Sequence, residues 1–182
     1  MRVNLSSPLI LPLYTRLLED VNTRRRLCVL DLTNNFYLFL AFKKKFSPLL
    51  DYIVISKDIR LCMKFNDSMG IAAYNEPRNF IREHGIRIFD IIILNDTDKE
   101  TIKTILEKDR KDLLYIVLST DKNYNPEWGR IIKHVYGCPI VNKEKSKLLP
   151  LYIFINAHIK IRPKVHIYLV KEWRNSDGTK KE

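Results

Sequence analysis

The chain contains no glutamine, and only 5 glycines, 3 cysteines and 4 histidines. Scarce glycine removes the loops that cradle nucleotide phosphates. Neither GxGxxG nor GxxxxGK[ST] occurs, so a dinucleotide or P-loop phosphate site is not expected. The cysteines (Cys28, Cys62, Cys138) are odd in number and lack zinc spacing, and they read as reduced thiols of a cytoplasmic protein. The histidines (His84, His134, His158, His166) have no ligand spacing and read as surface or partly buried residues. No apolar run approaches the ~18–20 residues of a membrane span. The opening segment carries Pro8 and Pro12 but no small-residue cleavage site, and it reads as an amphipathic lead-in rather than a secretion signal. Missing glutamine with abundant Ile and Lys suits an AT-rich coding bias or a hot-living source, and 13 asparagines argue against a strongly thermal one.

What is present is an ordinary globular mixture, 46% apolar and 29% charged, in a chain long enough for a real core. The net charge of +11 is unevenly placed. Residues 1–129 hold 20 basic and 17 acidic side chains, and residues 130–182 hold 12 and 4. A basic pole suits a polyanion or an acidic protein partner, and a solvated lysine-rich surface is the plain alternative. Candidate contacts for nucleic acid or an acidic partner are Lys143, Lys145, Lys147, Lys160, Arg162 and Lys164, with Tyr168 and Trp173 nearby.

The hydrophobic pattern alternates strand and helix. A helix is expected from Pro12 to about residue 22, a strand over 27–32, and a helix over 34–46 with an aromatic face. A strand follows over 51–56. Residues 58–75 read as either exposed strand or helix around a turn at 66–70. A short helix starts at Pro77, and residues 88–94 form an apolar run buried on both faces, as central parallel strands are. Thr97 to Glu100 starts another helix. Residues 113–118 are the next strand, Pro126 opens a helix carrying Trp128, Ile131, Ile132 and Val135, and 137–142 is a short closing strand. The segment 164–170 alternates like an antiparallel strand with one wet face. The fold class is therefore α/β, a three-layer sandwich with a mostly parallel sheet of about five strands and a small C-terminal β extension.

Active sites of such folds lie at the carboxyl ends of the strands. Those ends carry Asp31, Asn34, Asn95, Asp96 and Asp121. Three aspartates there could hold Mg²⁺ or Mn²⁺, although Asp also caps helices. No nucleophile–base pair is evident, so no catalytic residue, metal or cofactor is assigned.

The order of strand ends resembles the N-terminal domain of the DHH phosphoesterase superfamily, which includes RecJ exonucleases and an inactive helicase cofactor. The likeness rests on the run Phe89-Asp90-Ile91-Ile92-Ile93-Leu94, the strand Leu114-Tyr115-Ile116-Val117-Leu118, and Pro139-Ile140-Val141-Asn142. Where the family carries its first aspartates this chain reads Leu32-Thr33-Asn34-Asn35, and Thr120-Asp121-Lys122 replaces Asp-His-His. The resemblance implies a non-catalytic member: a degenerate DHH-like domain over 1–148, a β extension over 149–173 and a disordered tail over 174–182. Asp31, Asn34, Asn95, Asp96 and Asp121 are then a vestigial site. It further implies a DNA-replication scaffold binding GINS, the MCM helicase and single-stranded DNA, cytoplasmic or nucleoid-associated, with no membrane or small-molecule partner. Two alternatives stand beside it. One is a divergent metal-dependent phosphoesterase or nuclease using Asp31, Asp96 and Asp121, and the other is a receiver-like signalling domain.

Overall fold

A computed structural model describes residues 11–21, 23, 25–68, 70–108, 113–137 and 165–172. In chain order they form α1 (Leu11–Leu18), β1 (Leu27–Asp31), α2 (Phe36–Phe46), β2 (Leu50–Ser56), α3 (Ile59–Asp67) and β3 (Ile71–Tyr74). Then come α4 (Pro77–His84), β4 (Ile91–Asn95), α5 (Lys99–Leu106), β5 (Leu114–Ser119), β6 (Gly129–Gly137) and β7 (Val165–Glu172). The strands make one seven-stranded sheet in the order β3-β2-β1-β4-β5-β7-β6. Neighbours from β3 to β5 pair parallel, while β7 lies antiparallel between β5 and β6. The α/β class and the mostly parallel sheet expected from the sequence are present, with seven strands rather than about five.

The apolar runs explain the middle of the sheet. Ile91, Ile92, Ile93 and Leu94 are all buried, because alternate residues enter two different cores. Ile91 and Ile93 join Val29 of β1, Tyr14 of α1 and Phe39 and Phe42 of α2 on one face. Ile92 and Leu94 join Leu30 of β1, Ile81 of α4 and Ile102 and Ile105 of α5 on the other. Helix starts are set by side-chain caps: Asn35 accepts from Leu38 N at 3.1 Å, and Asp58 from Arg60 N at 2.9 Å. The ambiguous stretch after β2 resolves into α3, whose buried Cys62 and Phe65 face inward, followed by the edge strand β3.

Two expectations at the far edge are corrected. The helix expected from Pro126 is the strand β6. A register shift between Ile131 and Lys133 interrupts its two-residue alternation, so its apolar residues fall at helix-like spacing in the sequence. The wet face expected for 164–170 is buried, because β7 lies inside the sheet, where Tyr168 and Val170 enter one core and Ile167 and Leu169 the other. Residues 139–142, 149–163 and 174–182 lie outside the described residues.

Candidate functional site

The strand order reverses direction between β1 and β4, since β1 continues to β2 and β3 on one side and β4 to β5 on the other. Crossovers on opposite faces leave a crevice outside the carboxyl ends at such a switch point, and ligands of open α/β sheets bind there. The loops flanking it are residues 31–35 after β1 and 95–98 after β4. The ends of β2, β3 and β5 flank them.

The β1 loop is folded onto its own carboxylate. Asp31 is fully buried and accepts four hydrogen bonds: Thr33 N and Thr33 Oγ1 at 2.7 Å each, Tyr52 OH at 2.7 Å, and Asn35 N at 3.3 Å. Burial raises its pKa, and the donors from Thr33, Tyr52 and Asn35 oppose that rise. Asn35 Nδ2 donates to the buried Tyr14 hydroxyl, so α1 is tied into the same cluster. Burial and the neighbouring carboxylate push the Tyr52 hydroxyl well above its ordinary range.

Asn34, in the middle of this loop, differs from its neighbours. Its φ of 60° is left-handed, a conformation Asn tolerates better than most side chains. Its Oδ1 is buried and has no hydrogen-bond partner. An acceptor left in that state costs about 1–3 kcal/mol.

The β4 end is more open. Asn95 and Asp96 are half-buried. Asp96 N donates to Leu118 O at 3.1 Å, and the Ser119 hydroxyl donates to the Asp96 carboxylate. Asp98 is spent as the cap of α5, accepting from Thr101 N at 3.2 Å. Ser119 links this end to the β5 loop by accepting from Asp121 N at 2.8 Å, while Asp121 itself is exposed and accepts from Asn123 N at 2.8 Å. Farther out, Lys57 after β2 pairs with Glu76 after β3 at 3.1 Å.

Asp31 and Asn34 thus share one loop, and Asn95 and Asp96 another, across the switch point. Asp121 stands one strand away on a loop of its own. The three aspartates form no metal site: among the described residues, no group of three or more His, Cys, Asp or Glu is placed to hold an ion. Lys143, Lys145, Lys147, Lys160, Arg162, Lys164 and Trp173 lie outside the described residues. No helix among the described residues is long and apolar enough to cross a membrane.

Sequence reasoning missed a cluster beside the β5 end. His134 Nε2 and His166 Nδ1 are 3.0 Å apart, and the His134 ring stacks on Tyr168 at 4.3 Å and 9°. The two histidines are 32 positions apart, and only the pairing of β6 with β7 brings them together. A β-strand pattern over 129–137 was the one signal that could have revealed it.

No protein-family model matches the chain, and no curated protein sequence matches it. Solved structures do. A SAM-dependent methyltransferase from Geobacter sulfurreducens in complex with S-adenosyl-L-homocysteine aligns with a TM-score of 0.61 at 8% identity, over 95% of this chain and 94% of that one. The plantazolicin methyltransferase BpumL, in complex with a triazolic desmethylPZN analog and SAH, aligns at 0.52 and 13% identity over 91% and 85%. TrmN from Thermus thermophilus aligns at 0.53 and 13% identity over 91% of this chain, which spans 49% of that one. The chain has the Rossmann-like fold of these proteins.

This overturns the DHH and RecJ resemblance. That likeness rested on apolar runs and strand ends, and the solved structures that share this fold are methyltransferases, while the closing strand over 139–142 that it invoked lies outside the described residues. The replication scaffold, with GINS, MCM and single-stranded DNA as partners, rested on that kinship and falls with it. So do the metal-dependent phosphoesterase and the receiver-like domain, since similar structures are methyltransferases. The non-enzyme reading had rested on lost phosphoesterase motifs. Those motifs belong to a kinship this chain does not show, and the similar structures are methyltransferases, which are enzymes, solved with the small molecule SAH bound.

Proposed function

We propose that this chain is a methyltransferase that binds S-adenosylmethionine in the crevice between the β1 and β4 loops. The observation that carries this reading is the sheet itself. Its reversal lies at β1/β4 and its antiparallel β7 lies between β5 and β6, in a fold shared with structures that hold SAH.

The residues present fit such a ligand. S-adenosylmethionine offers hydroxyl and ammonium donors and a sulfonium cation. The crevice offers acceptors: the unpartnered Asn34 Oδ1 and, across from it, Asn95 and the half-buried Asp96 carboxylate. Bound there, the group supplies a methyl carbon activated by positive sulfur. The chain's part is to hold and orient it. Asn34, at the left-handed turn of the β1 loop, accepts a hydrogen bond from a donor group of the ligand. Asp96, fixed by Ser119, favours positive charge beside it. Asp31 does not contact the ligand in this reading. All four of its donors come from the protein, and it holds the loop in shape.

The test is photo-crosslinking with methyl-labelled S-adenosylmethionine followed by peptide mapping. Label recovered in the peptides spanning residues 31–36 and 95–98 supports the proposal. Label elsewhere, or none on the folded protein, rejects it.

A further inference from the structure

Among the described residues eight large apolar side chains are exposed, and three of them share one corner of the fold. Ile59 (57% exposed) and Met63 (60%) stand one turn apart on α3, and Tyr74 (65%) ends the edge strand β3. Contacts identify the two flanks of α3. Lys64 lies over the Phe36 ring of α2 at 4.2 Å, and on the other flank Asn66 Oδ1 accepts from Ala72 N of β3 at 2.8 Å. Residues three and four apart share a helix face, so Ile59, Met63 and Asn66 lie on one line, and that line borders the outer edge of the sheet. Ala72 packs on the same core as Phe65 of α3, and Tyr74, two residues on, projects from that same face. Tyr74 is in register with Ser56, just before α3 begins, so it stands at the Ile59 end of the helix.

Scattered exposed apolar residues are ordinary, but a cluster rimmed by polar groups marks a contact surface. The charges around this one indicate its partner. The chain carries +11, yet residues 57–76 hold three basic and three acidic side chains. Lys57 is paired with Glu76 at 3.1 Å. Arg60 and Asp67 are exposed, lie two turns apart on the outer side of α3 with Met63 between them, and have no ion pair among the described residues. Charge on this side of the helix is therefore positive before Met63 and negative after it. A partner selected by one sign of charge does not match such a surface. The same surface turned end for end does, and a neutral patch is also where two strongly basic chains repel least.

We propose that this corner is the two-fold interface of a homodimer, in which α3 packs antiparallel against α3 of a second copy. Ile59, Met63 and Tyr74 supply the apolar centre, and Arg60 of each copy pairs with Asp67 of the other. Every contact then occurs twice by symmetry, and an interface of this kind closes on itself rather than growing into a filament. The apolar centre carries the association, and the two ion pairs at its rim fix the antiparallel register.

Sedimentation velocity of the full chain over a concentration series tests this. The wild type is expected to form a reversible dimer, and Met63→Lys to abolish it. Arg60→Glu and Asp67→Arg each set like charges opposite one another and are expected to weaken dimerisation at least about tenfold. The double variant Arg60→Glu/Asp67→Arg restores opposite charges in the reversed sense, and dimerisation is expected to return. All four positions altered or paired here are exposed or on the surface of α3, so the variants melt like the wild type when dilute, which separates loss of the dimer from unfolding. A wild type that stays monomeric up to about 0.1 mM overturns the proposal, and that is the outcome if another segment of the chain or a different partner covers the corner. A dimer that Met63→Lys leaves intact, or one that the double charge reversal fails to restore, overturns it equally.

Discussion

Asp31 at the end of β1 and Asp96 just after the neighbouring parallel strand β4 flank the same crevice, yet their surroundings have little in common. Asp31 is fully buried with four donors, all from its own loop and from Tyr52. Asp96 is half-buried, and one side-chain donor reaches it, the Ser119 hydroxyl. One carboxylate has every lone-pair direction spent on the fold, and the other keeps capacity for something outside the protein. A strand-end carboxylate is therefore not by itself a functional residue. The number of donors the protein already supplies separates a structural one from a binding one.

The largest expected effect comes from removing the saturated carboxylate. Asp31→Ala strands Tyr52 OH and the two loop amides in a buried site, and the destabilisation is expected at about 3 kcal/mol. In a chain of this size that lowers Tm by roughly 6–12 °C, which calorimetric melting checks.

Titration sharpens the same contrast. The Asp31 pKa is raised in the fold, mainly by burial, above the ordinary carboxyl value of 3.8. The folded state therefore holds its proton over a range where the unfolded chain has lost it. The stability this contributes is present below the ordinary carboxyl pKa and is lost as pH rises through the raised one. Asp31→Asn removes that dependence. The Tm difference between wild type and variant, measured from pH 3 upward, is expected to move against the wild type as pH rises. A difference that moves the other way would mean the donors outweigh burial.

Asn34→Gly comes next in size and opposite in sign. Glycine adopts the left-handed φ without strain and removes the unpartnered oxygen, so the protein gains about 1 kcal/mol. Smallest is Asp96→Asn. With the Ser119 contact kept by an amide oxygen, stability changes by less than about 0.5 kcal/mol, and thermal melting of the pair of variants checks both expectations.

The strand–helix alternation from β1 to β2 and from α4 to β5 was legible because continuous apolar runs such as 91–94 have few readings other than central strands, whereas 58–75, which holds α3 and β3, fits strand and helix alike. The far edge was not legible either. The register shift at Ile131/Lys133 makes a strand look helical, and β7 joins the sheet between strands that precede it in sequence. Of the site, Asp31, Asn34, Asn95 and Asp96 were visible as strand-end residues, but their roles were not. Saturation of Asp31 depends on Tyr52 of β2 and on loop geometry, and no spacing encodes the unpartnered oxygen of Asn34. The family resemblance failed for a related reason. It matched apolar runs and their ends, which α/β sheets of many kinds share, and it had no access to strand order.

The central claim is that the crevice binds S-adenosylmethionine through Asn34, with Asp96 across from it, while Asp31 only holds the β1 loop in shape. Calorimetric titration of SAH into wild type and Asn34→Gly tests it most directly. The account predicts one SAH per wild-type chain and at least about tenfold weaker binding to a variant that melts no lower than the wild type. No SAH binding by folded wild type, or equal affinity for the two proteins, would contradict it.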